Sequence, residues 1–238
     1  TSCLKSMEDK YNINPITPGV CLIINQKNFY TEFSEEYKHL LPIGSGKLEP
    51  REGTDIDRVS LEESFARFGY RVETRNNLTH IQMTDFIRTE VNNIKKAESS
   101  LFVCILSHGE EGVVFGVNSC KVAVSDILDI MGKSNIKNLG GKPKTLLLQA
   151  CQGRQCQEVP LTRDMLIFWA TVPGYGAIRN KKYGSWFIQS ICKKMIEHEN
   201  RWHFGDICTS VTRDVSEKIW RAGMLPLMLS TLSKQLYL

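Results

Sequence analysis

Cys151 and His108 are the residues of this chain whose types and settings could generate a nucleophile. Cys151 follows the run Lys144-Thr-Leu-Leu-Leu-Gln-Ala, flanked by Gly140-Gly-Lys-Pro143 before and Gln152-Gly153 after. Such a short apolar run reads as a buried strand of a parallel sheet that stops just before the thiol. Open α/β sheets bind ligands at the carboxyl ends of their strands, so a thiol there faces a cleft. A second run, Ser99-Ser-Leu-Phe-Val-Cys-Ile-Leu106, leads into Ser107-His108-Gly109. If both strands run parallel in one sheet, His108 and Cys151 leave it at one edge although 43 residues separate them in the chain.

A thiol with an ordinary pKa of about 8.5 is only a few per cent thiolate at neutral pH, so it needs a proton acceptor beside it. His108 can take that proton and return it to a leaving amine. The bland alternative is a packed structural thiol, the usual fate of a cysteine in a reducing compartment. That reading suits Cys21, Cys104, Cys192 and Cys208, which lie inside apolar runs, whereas Cys151 sits at a strand end beside Gly153. Histidines 39, 80, 198 and 203 have no comparable setting.

Gln149-Ala-Cys151-Gln-Gly153 with a histidine upstream resembles the signature of the caspase family, and Gln152 looks like the initiator-type variant of it. The resemblance covers nearly all of residues 10–237 and implies a cysteine endopeptidase that cuts protein substrates after Asp in cell death or related signalling. It further implies that the backbone N–H groups of Gly109 and Cys151 stabilise the oxyanion. Arg51 (in Arg51-Glu-Gly-Thr-Asp55), Gln149 and Arg179 would hold the substrate carboxylate, and Ala177, Ile178 and Arg179 would pair with its backbone. Ile178 stands where the family usually has an aromatic. The family also implies a homodimer through Leu225 to Leu232, peptide-like inhibitors as ligands, and no metal or cofactor. Its two-part organisation maps here to a lead-in (1–18), a large-subunit portion (19–153), a connector (154–163) and a small-subunit portion (164–238). The connector is short and has no Asp, its sole acid being Glu158. Either a longer linker has been excised or maturation does not cut after Asp there. The rival functions are a catalytically silent relative acting as a regulatory partner, and a clan member with Lys/Arg or Asn preference. The first should have lost the dyad or the arginines; the second should carry acids at 51 and 179.

The elements that must position these residues are legible in the pattern. The chain has 238 residues, 42% hydrophobic and 24% charged, enough for one large α/β domain or two small ones without disulfides or metals. The net charge of +4 is mild and the lysine pairs are scattered, as on solvated helix faces, which argues against a nucleic-acid patch. No apolar stretch is long enough for a membrane span and residues 1–18 lack a signal-peptide core, so a cytoplasmic protein is expected. The chain opens on Thr1, which points to an upstream segment. In such a compartment the sequon Asn77-Leu-Thr79 is silent.

Gly19–Asn25 reads as a central strand, and Gly44-Ser-Gly46-Lys47 as a mobile loop, since it lacks the spacing of a phosphate-binding loop. Thr54-Asp-Ile-Asp57 reads as a capped helix start, with Leu61, Phe65 and Phe68 on one face. A strand over 70–74, a helix from about Thr84, a hairpin over 113–124 and a short helix over 126–130 follow. After the Cys151 strand come Met165–Ala170, helices over 185–198 and 205–220, and a last strand near an edge, where Pro226 cannot donate to a ladder. This alternation predicts an α/β fold, a mostly parallel six-stranded sheet with helices on both faces.

Overall fold

In the computed structural model, which describes residues 9–42, 47–132, 136–152, 161–199, 201–218 and 223–238, every long apolar run becomes a strand of one sheet. The strands are β1 (Val20–Asn25), β2 (Arg71–Asn76), β3 (Leu101–Leu106), β4 (Gly109–Glu110), β5 (Val113–Phe115) and β6 (Lys121–Ala123) in the first part. They continue as β7 (Lys144–Gln149), β8 (Met165–Trp169), β9 (Arg179–Asn180), β10 (Gly184–Ser185) and β11 (Leu227–Ser230). The helices are α1 (Thr54–Arg67), α2 (His80–Asn92), α3 (Val124–Gly132), α4 (Trp186–Glu197) and α5 (Phe204–Ser216). The main sheet has six strands in the order β11-β8-β7-β3-β1-β2. All its neighbours are parallel except β11, which runs against β8.

Strand periodicity divides the core in two. Val20, Leu22 and Ile24 pack with Met83, Ile87 and Val91 of α2 and with Ile127, Leu128 and Met131 of α3. Cys21 and Ile23 point the other way, to Leu61 and Phe65 of α1, Ile188, Ile191 and Met195 of α4, and Ile207, Val211 and Val215 of α5. With both faces covered, β1 and β3 are buried along their whole length, which is why they are continuous rather than alternating apolar runs. Each such side chain contributes about 1.5–3 kcal/mol by leaving water.

Several boundaries differ from the expectations. The second helix starts at His80, a turn before Thr84, because Thr79 caps it. The Thr79 hydroxyl accepts the Gln82 N–H at 3.3 Å and the Gln82 side chain accepts the Thr79 N–H at 3.0 Å. The sequon asparagine is also engaged: Asn77, at φ 53°, accepts the N–H groups of Lys27 and Asn28. The capping role expected of Thr54 and Asp57 is not observed. Gly53 is the cap residue; the Thr54 hydroxyl accepts from the Arg51 guanidinium and the Asp57 carboxylate accepts the Ser185 N–H instead. A 3-10 helix (Glu35–Leu40) and the small hairpin β9–β10 were not foreseen, and the last strand and α5 are shorter than expected. Residues 1–8 of the lead-in, 43–46 of the glycine-rich loop, 153–160 (Gly153 and most of the connector), and Ile219 and Trp220 lie outside the described residues.

Candidate active site

Register is what brings the thiol and the imidazole to one place. β3 and β7 are aligned from Leu101 opposite Lys144 to Leu106 opposite Gln149. The ladder continues one step, with the Ser107 N–H donating to the Gln149 carbonyl at 3.2 Å. His108 and Cys151 therefore stand at equivalent positions just past the ends of adjacent parallel strands. Both line a cleft of about 200 Å³, together with Arg51, Ser107, Gln149, Ala150, Ala177 and Arg179. A larger hollow of about 540 Å³, which includes Tyr11, Pro15, Arg67 and Tyr237, contains neither thiol nor imidazole.

The His108 ring is oriented by two groups that the sequence does not reveal. Its Nε2 lies 2.7 Å from the Glu49 carbonyl oxygen, and the Phe29 ring packs on it at 4.9 Å. A carbonyl only accepts, so Nε2 carries the proton and Nδ1 is left as the basic nitrogen. Burial pushes the His108 pKa below its ordinary value, and the nearby Arg51 and Arg179 charges act in the same direction. The acid limb of kcat/KM should then have its midpoint below the ordinary imidazole value of about 6.5. A pH profile with that midpoint at or above this value would contradict the assignment. Stability follows the same sign: the unfolded chain binds this proton more readily, so stability is lost as pH falls from the unfolded value towards the folded one.

Cys151 is half-buried, and its sulfur accepts the Ala177 N–H at 3.4 Å. The segment that begins at Ala177 is thus in direct contact with the thiol. Gly109 is required by crowding. A Cβ there would come within 2.6 Å of the Cys151 carbonyl oxygen and 2.9 Å of the Ala150 Cβ. Gly109→Ala is expected to push the two loops apart, costing about 1–3 kcal/mol of stability and about 100-fold in turnover per folded molecule. Thermal melts together with rates normalised to titrated sites check both.

The part of the cleft lined by Arg51 and Arg179 is cationic. Arg51 is 1% exposed; its Nη1 donates to the Gln26 carbonyl at 3.0 Å and the Thr54 hydroxyl at 2.7 Å, and its Nη2 donates to the Gln149 carbonyl at 3.3 Å. Arg179 donates from Nε to the Glu52 carbonyl at 2.9 Å. Among the described residues, neither guanidinium is in an ion pair with a carboxylate. Burial, followed by the like charge of Arg179, pulls Arg51 down to about 9, so it is still a cation at pH 7. Burial also lowers Arg179. Arg51 Nε and both polar atoms of the Gln149 amide are buried without a hydrogen-bond partner. Unpaired buried donors and two cations with no carboxylate in contact favour an anionic ligand with several acceptors.

Of the residues singled out from the sequence, Cys151, His108, Arg51, Gln149, Ala177 and Arg179 meet at this cleft, and Gly109 abuts it. Ile178 faces away from it: its N–H reaches the Met224 sulfur at 3.0 Å and its side chain packs on the core. The supporting residues Thr54, Glu49 and Phe29 were not identified as such. Two of them act through a backbone carbonyl and a tilted ring contact, which leave no motif.

The sequence matches the caspase domain family across residues 18–237. It is 39% identical over 217 residues to caspase-8 of Drosophila pseudoobscura pseudoobscura, a match covering 84% of this chain and 41% of that protein. It is 32% identical over 258 residues to caspase-3 of Bos taurus (98% of this chain, 88% of that protein) and 31% identical over 257 residues to caspase-3 of Felis catus (97% and 87%). The chain therefore spans less than half the length of the insect relative and most of the length of the mammalian ones. With a caspase match over almost its whole length, the chain belongs to the caspase family of cysteine endopeptidases.

Proposed function

We propose that this chain hydrolyses protein substrates after Asp through a Cys151–His108 dyad, acting in the cytoplasm in apoptosis or related signalling. The observation that carries the reading is the cleft itself: a thiol and a basic imidazole nitrogen share it with two guanidinium groups that lack carboxylate partners. In this mechanism His108 Nδ1 takes the thiol proton and the sulfur attacks the carbonyl of the residue held by Arg51, Gln149 and Arg179. The Gly109 and Cys151 N–H groups bear the oxyanion, the protonated ring returns its proton to the leaving amine, and water then releases the acyl group. The backbone of Ala177 to Arg179 receives the extended substrate as an added strand, displacing the Ala177 N–H from the sulfur. The six described cysteines are all free thiols, which suits a reducing compartment. Among the described residues no helix is long and apolar enough to cross a membrane.

Paired fluorogenic peptides that differ only in Asp or Asn before the scissile bond test the reading. Cleavage of the first alone is expected; equal cleavage of both, or of neither, would overturn it.

Residues 19–153 and 164–238 would be the large and small portions. The partner would be a second copy of the chain meeting at the free edge of β11, where Leu225 and Met228 are exposed. Sedimentation should then show a dimer when an inhibitor is bound; a monomer at high concentration would oppose it.

A further inference from the structure

Asp57 is fully buried, does not line the cleft, and is nevertheless the residue on which the two halves of the cationic wall are hung. Its carboxylate oxygens accept the Ser185 N–H at 2.8 and 3.0 Å, and Oδ1 also accepts the Gln189 side-chain amide at 2.9 Å. Ser185 lies directly across the β9–β10 ladder from Arg179. Asp57 itself is in the first turns of α1, a few residues after Arg51 in the chain. One carboxylate thus joins the hairpin carrying one guanidinium to the segment carrying the other.

The fit between these pieces is close at every point. A Cβ at Gly184 (φ 78°) would fall 2.4 Å from Asp57 Oδ1, and one at Gly53 (φ 87°) would fall 2.4 Å from the Asn180 carbonyl oxygen. Between them, Arg179 Nε holds the Glu52 carbonyl. On the other side, the Thr54 hydroxyl accepts from Arg51 and donates to Asn25 Oδ1 at 2.8 Å. The Asp57 charge also favours the cationic form of both arginines. Only an acceptor of this length serves here. Asn can still offer one oxygen to the Ser185 and Gln189 donors, but it sets an NH2 where the second oxygen accepts from Ser185 and it loses the charge, and Glu has no room beside Gly184.

We infer that Asp57 is a positioning residue for substrate selection: by gripping Ser185 it sets the spacing of Arg179 from Arg51, and hence the side-chain length the pocket accepts, Asp over Glu. This rests on the reading of the cleft as a carboxylate site. Asp57 does not touch the thiol or the imidazole, so its loss should fall on substrate binding rather than on the acyl chemistry.

The test compares wild type with Asp57→Ala and Asp57→Asn, each normalised to sites titrated with an irreversible inhibitor. Peptides ending in Asp, Glu and Asn are used. Expected for Asp57→Ala are a kcat within about twofold of wild type, a KM for the Asp peptide raised about tenfold, and an Asp-to-Glu ratio of kcat/KM reduced about fivefold. Asp57→Asn, nearly isosteric, should show the same changes to a smaller degree and serves if the alanine variant does not fold. A purely structural role would lower the number of titrated sites and leave KM and the ratio per site unchanged, and that result overturns the inference. Should wild type cleave the Asn peptide as well as the Asp peptide, the pocket reading itself falls and this inference with it. Asp preference retained in wild type with an unaltered ratio in both variants refutes only the role of Asp57.

Discussion

Replacing Cys151 by alanine is expected to reduce hydrolysis of an Asp peptide by about 10⁴-fold or more, because no other group in the cleft can form the acyl link. The remaining polar members of the cleft are a base, two cations, an amide and the Ser107 hydroxyl, which is tied up by donating to the Phe115 carbonyl at 2.7 Å. They can still orient a peptide and weakly promote attack by water, which is the source of the residual rate. Peptide binding, measured with a non-reactive analogue, should change little, since the sulfur's one hydrogen bond is to the Ala177 N–H that the substrate strand itself would take over. A variant that retains more than about 1% of the wild-type rate would place the nucleophile elsewhere.

The second large effect is expected at the arginines. Arg179→Ala should cost about 10³- to 10⁴-fold in kcat/KM for an Asp peptide, because a buried substrate carboxylate would lose one of its two guanidinium partners. Arg179→Lys should recover little, as a point charge cannot reproduce the planar fork. Arg179 is the cleaner probe. Arg51 also ties the Gln26 and Gln149 carbonyls together, so Arg51→Ala should additionally destabilise the fold by about 1–3 kcal/mol. Rates on Asp and Asn peptides side by side decide the matter. A loss equal on both substrates would mean that Arg179 supports the loop and does not read the carboxylate.

The sheet was legible because strands buried on both faces leave continuous apolar runs, and β1, β3, β7 and β8 each carry one. The meeting of Cys151 and His108 followed from assuming that two such strands run parallel, and their observed register aligns the two ends. The hidden parts were those where one residue type serves two ends. Thr54 and Asp57 carry the pattern of a helix cap, yet the Arg51 guanidinium takes the hydroxyl and the Ser185 amide takes the carboxylate, so the cap falls to Gly53. Local pattern describes what a side chain can bond; which partner it finds is decided by tertiary contacts such as the 128-residue separation between Asp57 and Ser185. Thr79 shows the converse, a real capping box whose first residue was read only as part of a sequon. The Glu49 carbonyl beneath His108 has no side-chain signature at all.

The proposed mechanism needs one sulfur, one ring and one cationic pocket, and covalent labelling interrogates all three together. The protein is treated with a short peptide bearing a thiol-reactive group after a terminal Asp, in parallel with its Asn analogue, and the adduct is located by peptide mass spectrometry. The expected result is a single adduct on Cys151, formed rapidly with the Asp reagent, slowly with the Asn reagent, and slowly with either in His108→Ala. An adduct on another cysteine, or equal rates for the two reagents, would contradict it.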